Sequence, residues 1–325
     1  MKSKLITLKL GIKKNKTDGL LICLFKASTT ALIFTLNKFA AAPVIISKQN
    51  IIKSNPKYIF INSGNANACT GKEGLTNTKR ILNLLAKRLK CNSNEIIIMS
   101  TGIIGRQLPI DDIEASIIKN TFNKYSSLKD AACSVMTTDN HPKYLSKEYK
   151  IGSKKVIFSG LCKGAGMIEP NMATMLAFIE TNVSINKSNL KKYLNYCANL
   201  SFNAISVDGD MSTNDCVAFT STNLINIDLK NKKNEKKLLE YAADFFIQLS
   251  SKIIKDGEGA TKIIKLNICN AKTKTLAQEI SRKISNSLLV KTAMYGEDPN
   301  WGRIIASLGS INENTLNVVK VKLFI

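Results

Sequence analysis

The chain alternates short apolar runs with longer amphipathic segments, and this alternation is the feature that most limits its fold. Residues 59–61 (Ile-Phe-Ile) and 95–99 (Glu-Ile-Ile-Ile-Met) have the composition of short buried strands. Residues 76–90, 188–200 and 235–255 instead place apolar side chains at helical spacing. Because strands and helices alternate, we expect an α/β fold in which mixed sheets pack against helices.

Local signals predict where several of these elements begin. Asn77 is the expected cap of the helix over residues 76–90, and Pro109 opens a helix that continues to about residue 124. Asp298, followed by proline, is the expected cap of a helix over residues 301–308. The alternation of apolar side chains over residues 264–268 predicts a further strand.

Composition limits the classes of protein to which the chain can belong. Its 325 residues, 44% of them hydrophobic, suffice for one large core or two smaller ones. No apolar run is long enough to span a bilayer or to act as a secretion signal, so we expect a cytoplasmic protein without a membrane partner. The net charge of +23 comes from lysines spread along the whole chain, without a basic stripe rich in aromatic residues. We therefore expect no specific nucleic-acid partner.

Histidine and cysteine usage removes many catalytic devices. His141 is the single histidine of the chain, so histidine metal clusters are excluded and any Ser-His-Asp arrangement would have to use it. A lone histidine beside a proline in a polar loop is typical of the surface. The eight cysteines form no Cys-x-x-Cys pair, so zinc-site spacing is absent. We therefore expect no metal site of these kinds.

Residues 163–179 place Thr174 between a glycine-rich turn and an uninterrupted apolar run. A hydroxyl nucleophile without histidine needs another base, and the α-amine of an N-terminal threonine, with a pKa of about 7.7–8.0, can serve. Cleavage between Ala173 and Thr174 would expose that amine, by attack of the Thr174 hydroxyl on the Ala173 carbonyl. The alternative from the residues alone is a glycine turn that feeds a buried strand, with Thr174 merely at its start.

Other residues carry weaker signals. Thr101 and Gly102 follow a predicted strand in a glycine-containing loop, where a hydroxyl and a backbone N–H can stabilise an oxyanion. Lys163 and Glu258, each followed by glycine, can pair with the carboxylate and ammonium groups of an amino acid. An ordinary loop or turn explains each of these patterns equally well in isolation.

Taken together, these segments resemble the ornithine acetyltransferase family of arginine biosynthesis, also called the glutamate N-acetyltransferase family. The resemblance runs over nearly the whole chain. It rests on motifs at residues 41–44, 62–71, 100–102, 136–139, 163–176, 201–215, 256–262 and 296–303.

The resemblance implies a two-chain α/β protein that cleaves itself, with an α chain of residues 1–173 and a β chain of residues 174–325, assembled as an α2β2 heterotetramer. Thr174 would take acetyl from N-acetylornithine and pass it to glutamate, and acetyl-CoA is a further possible donor. The resemblance implies no metal and no coenzyme. By the same resemblance, Thr101 and Gly102 form the oxyanion hole. Substrate would be bound by Thr137 or its neighbour Thr138, and by Lys163, Thr174 and Glu258.

The resemblance also carries one departure and leaves alternatives open. Family members continue past the equivalent of Gly309 into a segment with an asparagine and a terminal Ser/Thr that contact substrate, and residues 310–325 contain no identifiable counterpart. We therefore expect a C-terminally shortened pocket. A related N-terminal-nucleophile amidase or aminopeptidase is the enzymatic alternative. A truncated, non-catalytic remnant is the alternative from another class.

Overall fold

The computed structural model describes residues 1–169, 175–311 and 321–324. Within them the strands are β1 (Lys4–Leu8), β2 (Gly19–Cys23), β3 (Thr29–Phe34), β4 (Tyr58–Asn65), β5 (Ile96–Ile103), β6 (Lys143–Ile151), β7 (Lys154–Lys163), β8 (Leu176–Val183) and β9 (Cys216–Ile225). The helices are α1 (Ala42–Lys53), α2 (Gly71–Leu89), α3 (Ile110–Lys119), α4 (Leu128–Val135), α5 (Lys187–Leu200), α6 (Lys232–Lys255), α7 (Lys274–Ser285), α8 (Leu288–Tyr295) and α9 (Trp301–Gly309).

The strands form two mixed sheets. The first has the order β1-β2-β4-β5, in which β4 and β5 are parallel and the other neighbours antiparallel. The second has the order β3-β9-β8-β7-β6, in which β8 and β9 are parallel and the other neighbours antiparallel. The predicted α/β fold with mixed sheets and helices is confirmed.

The two sheets pack face to face between two layers of helices. One apolar cluster joins the facing sides of both sheets and takes in side chains of α4. A second cluster joins the outer side of the first sheet to α1, α2 and α3, and a third joins the outer side of the second sheet to α5 and α6. The order of layers is therefore helices, sheet, sheet, helices.

Strand β5 shows how the sequence produces this layering. Ile97 and Met99 belong to the cluster between the sheets, whereas Ile96 and Ile98 belong to the cluster under the helices. Successive side chains of a strand point to opposite faces, so a strand covered on both sides is apolar at every position. This explains why residues 95–99 read as a continuous apolar run.

The predicted element boundaries are partly wrong. Helix α2 begins at Gly71, directly after the loop of residues 66–70, and Asn77 lies buried inside it instead of capping it. Helix α9 is preceded by Asn300 at the cap position, two residues after the predicted Asp298. Residues 264–268 form no strand in the structure. Alternation alone cannot make a strand where no partner strand is available for hydrogen bonds.

Helices α7, α8 and α9 form a small apolar cluster of their own near the end of the chain. In residues 1–169, 175–311 and 321–324, no helix combines the length and apolar character needed to cross a bilayer.

Candidate active site

Predicted site residues lie where several strands begin or end, at one end of the two packed sheets. Thr101 and Gly102 lie near the end of β5, inside the strand and not in the loop that the sequence predicts. Lys163 is the last residue of β7 and pairs with Leu176 at the start of β8. Leu176 in turn pairs with Cys216 at the start of β9. Residues from both sheets therefore meet at this edge.

The ammonium nitrogen of Lys163 is the centre of this arrangement. Its Nζ donates a hydrogen bond to Oγ1 of Thr101 at 3.2 Å and lies 3.8 Å from Oδ2 of Asp139. Lys163 is 2% exposed and Thr101 is 3% exposed. A buried lysine needs polar partners, and these two groups supply them.

Burial and nearby carboxylates act in opposite directions on Lys163. Burial lowers the pKa of its ammonium group, while the carboxylates of Asp139, Asp215 and Glu258 oppose that shift. The three carboxylates come from distant parts of the chain. Of the three, Asp139 is in direct ionic contact with the Lys163 nitrogen.

A buried ionic network holds Asp139 in place. Lys143 donates to Oδ1 of Asp139 at 2.6 Å and to Oδ2 of Asp256 at 2.5 Å, and all three side chains are buried. The backbone N–H of Gly164 also donates to Oδ1 of Asp139 at 2.7 Å. Two lysines and two aspartates thus balance one another, which is what burial of charge requires.

The same network sets the ionisation of Asp139. Burial raises its pKa, but the charges of Lys163 and Lys143 and the hydrogen bonds to Lys143 and Thr137 outweigh that effect and bring the pKa to about 2. Asp139 is therefore an anion at neutral pH and holds Lys163 and Lys143 together.

Gly102 lies against the neighbouring strand so closely that no side chain fits. Its φ is +133°, and a Cβ at this position would lie 2.2 Å from the carbonyl carbon of Gly64, its partner in the parallel pair of β4 and β5. Glycine alone tolerates both conditions. The backbone next to Thr101 is thereby fixed in an unusual conformation.

Thr137 and Glu258 lie on two loops that flank Lys163. The backbone N–H of Thr137 donates to Oδ2 of Asp139 at 2.9 Å, and Thr137 is half-buried whereas Thr138 is exposed. Glu258 is exposed and packs over Gly166, where a Cβ would lie 2.7 Å from the Glu258 carboxyl carbon. An anionic group therefore faces solvent next to the buried Lys163.

Ala173 and Thr174, the predicted cleavage site and nucleophile, lie outside the described residues. The next residue, Met175, is described, and its backbone N–H donates to Oδ1 of Asp215 at 2.8 Å. Met175 immediately precedes Leu176, the residue paired with Lys163.

The structure brings together Thr101, Gly102, Lys163 and Glu258, with Thr137 connected through Asp139. His141 is exposed, as the sequence predicts, and its backbone N–H donates to Asp256. The described part of the chain contains no group of three or more His, Cys, Asp or Glu side chains able to hold a metal ion.

The sequence assigned no role to the buried groups around Lys163. These are Asp139, Lys143, Asp215 and Asp256. The three aspartates lie inside the motifs at residues 136–139, 201–215 and 256–262, which is the one signal that pointed to them. Lys143 and its partner Asp256 are 113 residues apart, and no local pattern reveals such a pair.

Known proteins resemble this chain over most of its length. The arginine biosynthesis bifunctional protein ArgJ, mitochondrial, of Dictyostelium discoideum is 44% identical over 308 residues, which cover 92% of this chain and 69% of the relative. The ArgJ protein of Caldanaerobacter subterraneus subsp. tengcongensis is 40% identical over 310 residues, covering 92% of this chain and 75% of the relative.

A crystal structure of the ArgJ protein of Bacillus halodurans aligns with 53% of this chain and 91% of its own, at 30% identity and a TM-score of 0.48. The ArgJ family profile matches residues 4–325. This match and the two relatives show that the chain belongs to the ArgJ family of bifunctional arginine biosynthesis enzymes.

Proposed function

We propose that this protein is a self-processing acetyltransferase that moves acetyl from N-acetylornithine to glutamate through an acetyl ester on Thr174. One observation carries the proposal. The buried Lys163 nitrogen contacts Thr101, the proposed oxyanion-hole residue, while Lys163 pairs with Leu176, two residues after Thr174. These contacts of Lys163 with Thr101 and Leu176 support a single reaction centre for the residues that the family resemblance assigns.

Processing would begin at the bond between Ala173 and Thr174. The Thr174 hydroxyl attacks the Ala173 carbonyl carbon, the amide nitrogen leaves as the amine, and water hydrolyses the resulting ester. The products are a carboxylate on Ala173 and a free α-amine on Thr174. That amine is the base that the chain otherwise lacks, since its one histidine is exposed.

The two fragments would stay together after cleavage. In the second sheet, β3, β6 and β7 precede the proposed cleavage site, whereas β8 and β9 follow it. Strand β8 is hydrogen-bonded to β7, and β9 is hydrogen-bonded to β3. The fragments would therefore share one sheet and two apolar clusters, which supports an α chain and a β chain that act as a unit. Two such units would form the α2β2 heterotetramer that the resemblance implies.

In the transfer reaction, the Thr174 amine accepts the hydroxyl proton while the oxygen attacks the acetyl carbonyl of N-acetylornithine. The Thr101 hydroxyl and the Gly102 N–H would stabilise the oxyanion. Ornithine leaves with the proton, and the amine of glutamate then takes the acetyl group from the ester. The Lys163 ammonium group and the Glu258 carboxyl group, which acts on the pKa of Lys163, suit the carboxylate and ammonium groups of an amino acid. Thr137 would contribute a further contact.

Mass spectrometry of the purified protein tests the processing step. We expect two fragments with Thr174 at the new N-terminus, and an uncleaved Thr174→Ala variant of about the 35.7 kDa of the full chain. A wild-type chain that stays intact after prolonged incubation would contradict the proposal.

A transfer assay tests the reaction itself. Acetylglutamate should form from N-acetylornithine and glutamate, and acetyl-CoA in place of N-acetylornithine tests the second activity implied by the name of the relatives. Release of acetate without dependence on glutamate would favour an amidase instead.

A further inference from the structure

Asp215 contacts the peptide that follows the proposed nucleophile. It lies immediately before β9, is fully buried, and accepts the hydrogen bond from the Met175 N–H on Oδ1. The Met175 nitrogen is bonded to the carbonyl carbon of residue 174, so this hydrogen bond holds one end of that planar peptide group. The Met175 carbonyl accepts from the N–H of Cys216 at 3.2 Å, which fixes the other side of the residue.

Asn214 contacts the peptide that precedes the proposed oxyanion hole. Its Nδ2 donates to the carbonyl oxygen of Ser100 at 2.8 Å and to that of Ala66 at 2.6 Å. Ser100 is the residue before Thr101 in β5. The side chain of Asn214 is buried, so these two hydrogen bonds do not compete with water.

Asn214 is itself held by its neighbours. Its Oδ1 accepts from the Thr213 hydroxyl at 2.6 Å, and its backbone N–H donates to the Ser212 hydroxyl at 3.0 Å. The carbonyl of Ser212 accepts from the Thr35 hydroxyl at 2.7 Å. The segment is therefore tied to both sheets and has little freedom to shift.

We propose that Asn214 and Asp215 are positioning residues that hold Met175, the residue after the proposed nucleophile, in fixed register with Ser100, the residue before the proposed oxyanion hole. Asn214 contacts the peptide before Thr101, and Asp215 contacts the peptide before Met175. Because Asn214 and Asp215 are consecutive residues, a single planar peptide bond links the two contacts. This inference rests on the proposed function. Acyl transfer requires the attacking oxygen and the oxyanion donors to lie within a fraction of an ångström of their working places.

The chemistry of the Asp215 carboxyl group supports a positioning role over an ionic one. Burial raises its pKa well above the usual value, while the hydrogen bonds from Met175 and Ser212 and the charge of Lys163 oppose that shift. No donor from the described residues reaches its Oδ2. The Oδ1 of an asparagine at this position can accept the Met175 hydrogen bond in the same way, so asparagine is a close substitute.

Four variants of the full chain test the inference: Asn214→Ala, Asp215→Ala, Asp215→Asn and Asn50→Ala. Asn50 is the matched control because its Nδ2 also donates to two carbonyls, those of Ser93 and Ile96, at the opposite end of β5. Each variant is assayed for chain cleavage by mass spectrometry and for kcat and KM of acetyl transfer, with its Tm measured alongside.

We expect Asn214→Ala and Asp215→Ala to lower kcat by about 30-fold or more, with KM changed by less than about threefold, because misplacement by 1 Å reduces rate by about 10²-fold. Asp215→Asn should stay within about fivefold of the wild-type kcat, and Asn50→Ala within about twofold at a similar loss of Tm. If Asn214→Ala does not fold, Asn214→Ser takes its place. The kcat values of Asp215→Asn and Asp215→Ala are compared with each other independently of the Asn214 variant.

Equal kcat values in Asn214→Ala and Asn50→Ala, or a wild-type kcat in Asp215→Ala, would overturn the inference and leave the proposed function standing. A change confined to KM would overturn it too. A wild-type protein that neither cleaves nor transfers acetyl would overturn the proposed function, and the inference with it.

Discussion

The Nζ of Lys163 lies 3.2 Å from Oγ1 of Thr101, so the last residue of β7 in one sheet touches β5 of the other. Both side chains are buried. The groups of the candidate active site are thus divided between the two sheets, and their geometry depends on how the sheets pack. Changes in the packing between the sheets should therefore affect activity even where no site residue is altered.

The close approach of Gly102 to Gly64 predicts a severe effect of a single methyl group. In Gly102→Ala the new Cβ would lie 2.2 Å from the Gly64 carbonyl carbon at a φ of +133°, so the strands must separate. We expect a loss of about 3 kcal/mol or more in the free energy of unfolding, from backbone strain and overpacking together. Urea denaturation measures this loss.

Gly105→Ala is the matched control for that substitution. Gly105 also has a positive φ, +82°, but among the described residues nothing lies within 4 Å of the place that its new methyl group would occupy. It should lose about 1 kcal/mol from the backbone conformation alone. Equal losses in the two variants would show that contact with Gly64 is unimportant.

The buried network predicts that Lys143 is far more important for stability than an exposed lysine in a similar ion pair. Lys143→Met leaves Asp139 and Asp256 without their common partner and should lower the free energy of unfolding by about 3–5 kcal/mol. Lys155→Met removes the exposed partner of Glu148 and should cost about 0–1 kcal/mol. Similar losses in urea denaturation would contradict the proposed role of burial.

The lowered pKa of Asp139 predicts a particular dependence of stability on pH. The pKa falls from 3.8 to about 2 in the folded protein, so the unfolded chain binds the proton more readily. The resulting stabilisation, about 2 kcal/mol, is fully present above pH 4 and is lost as pH falls from about 4 to 2.

Comparison of the wild type with Asp139→Asn isolates this effect. The difference in the free energy of unfolding between the two proteins should be constant from about pH 7 to about pH 4 and should shrink below it. A difference that does not shrink between about pH 4 and about pH 3 would mean that the lysines do not hold the Asp139 carboxyl group as an anion.

The contact between Gly166 and the Glu258 carboxyl group predicts a variant with impaired binding and nearly normal stability. A Cβ in Gly166→Ala would lie 2.7 Å from the carboxyl carbon, but Glu258 is exposed and its side chain is able to move away. If Glu258 binds the substrate ammonium group, its displacement should raise KM about tenfold while Tm stays within a few degrees.

A double-mutant cycle separates this effect from a direct one of the methyl group. In the Glu258→Ala background, Gly166→Ala should produce almost no further rise in KM, because the displaced group is already absent. Additive effects of the two substitutions would argue that Gly166 acts by some other route.

The fold class and most helices could be predicted from local patterns. A helix buried on one face and a strand buried on both faces each require a characteristic spacing of apolar residues in the sequence. Helices α5 and α6 lie close to their predicted limits, and α6 extends three residues further towards the N-terminus. The predictions were wrong where a partner strand or a helix cap determines the secondary structure. Residues 264–268 alternate without pairing. Helix α2 follows a loop, residues 66–70, in which the Asn67 side chain donates hydrogen bonds to Gly74 and Thr78 inside the helix.

The sequence by itself determined the family motifs, the exclusion of histidine-based catalysis, and the residue types suited to bind an amino acid. It did not reveal that the carboxylates of Asp139, Asp215 and Glu258 act on the pKa of Lys163. Nor did it reveal that Lys143 forms ion pairs with both Asp139 and Asp256. Only the tertiary structure decided those pairings. Ionic partners that lie far apart in the chain are brought together by sheet packing and by the ends of neighbouring strands, and no local periodicity encodes that proximity.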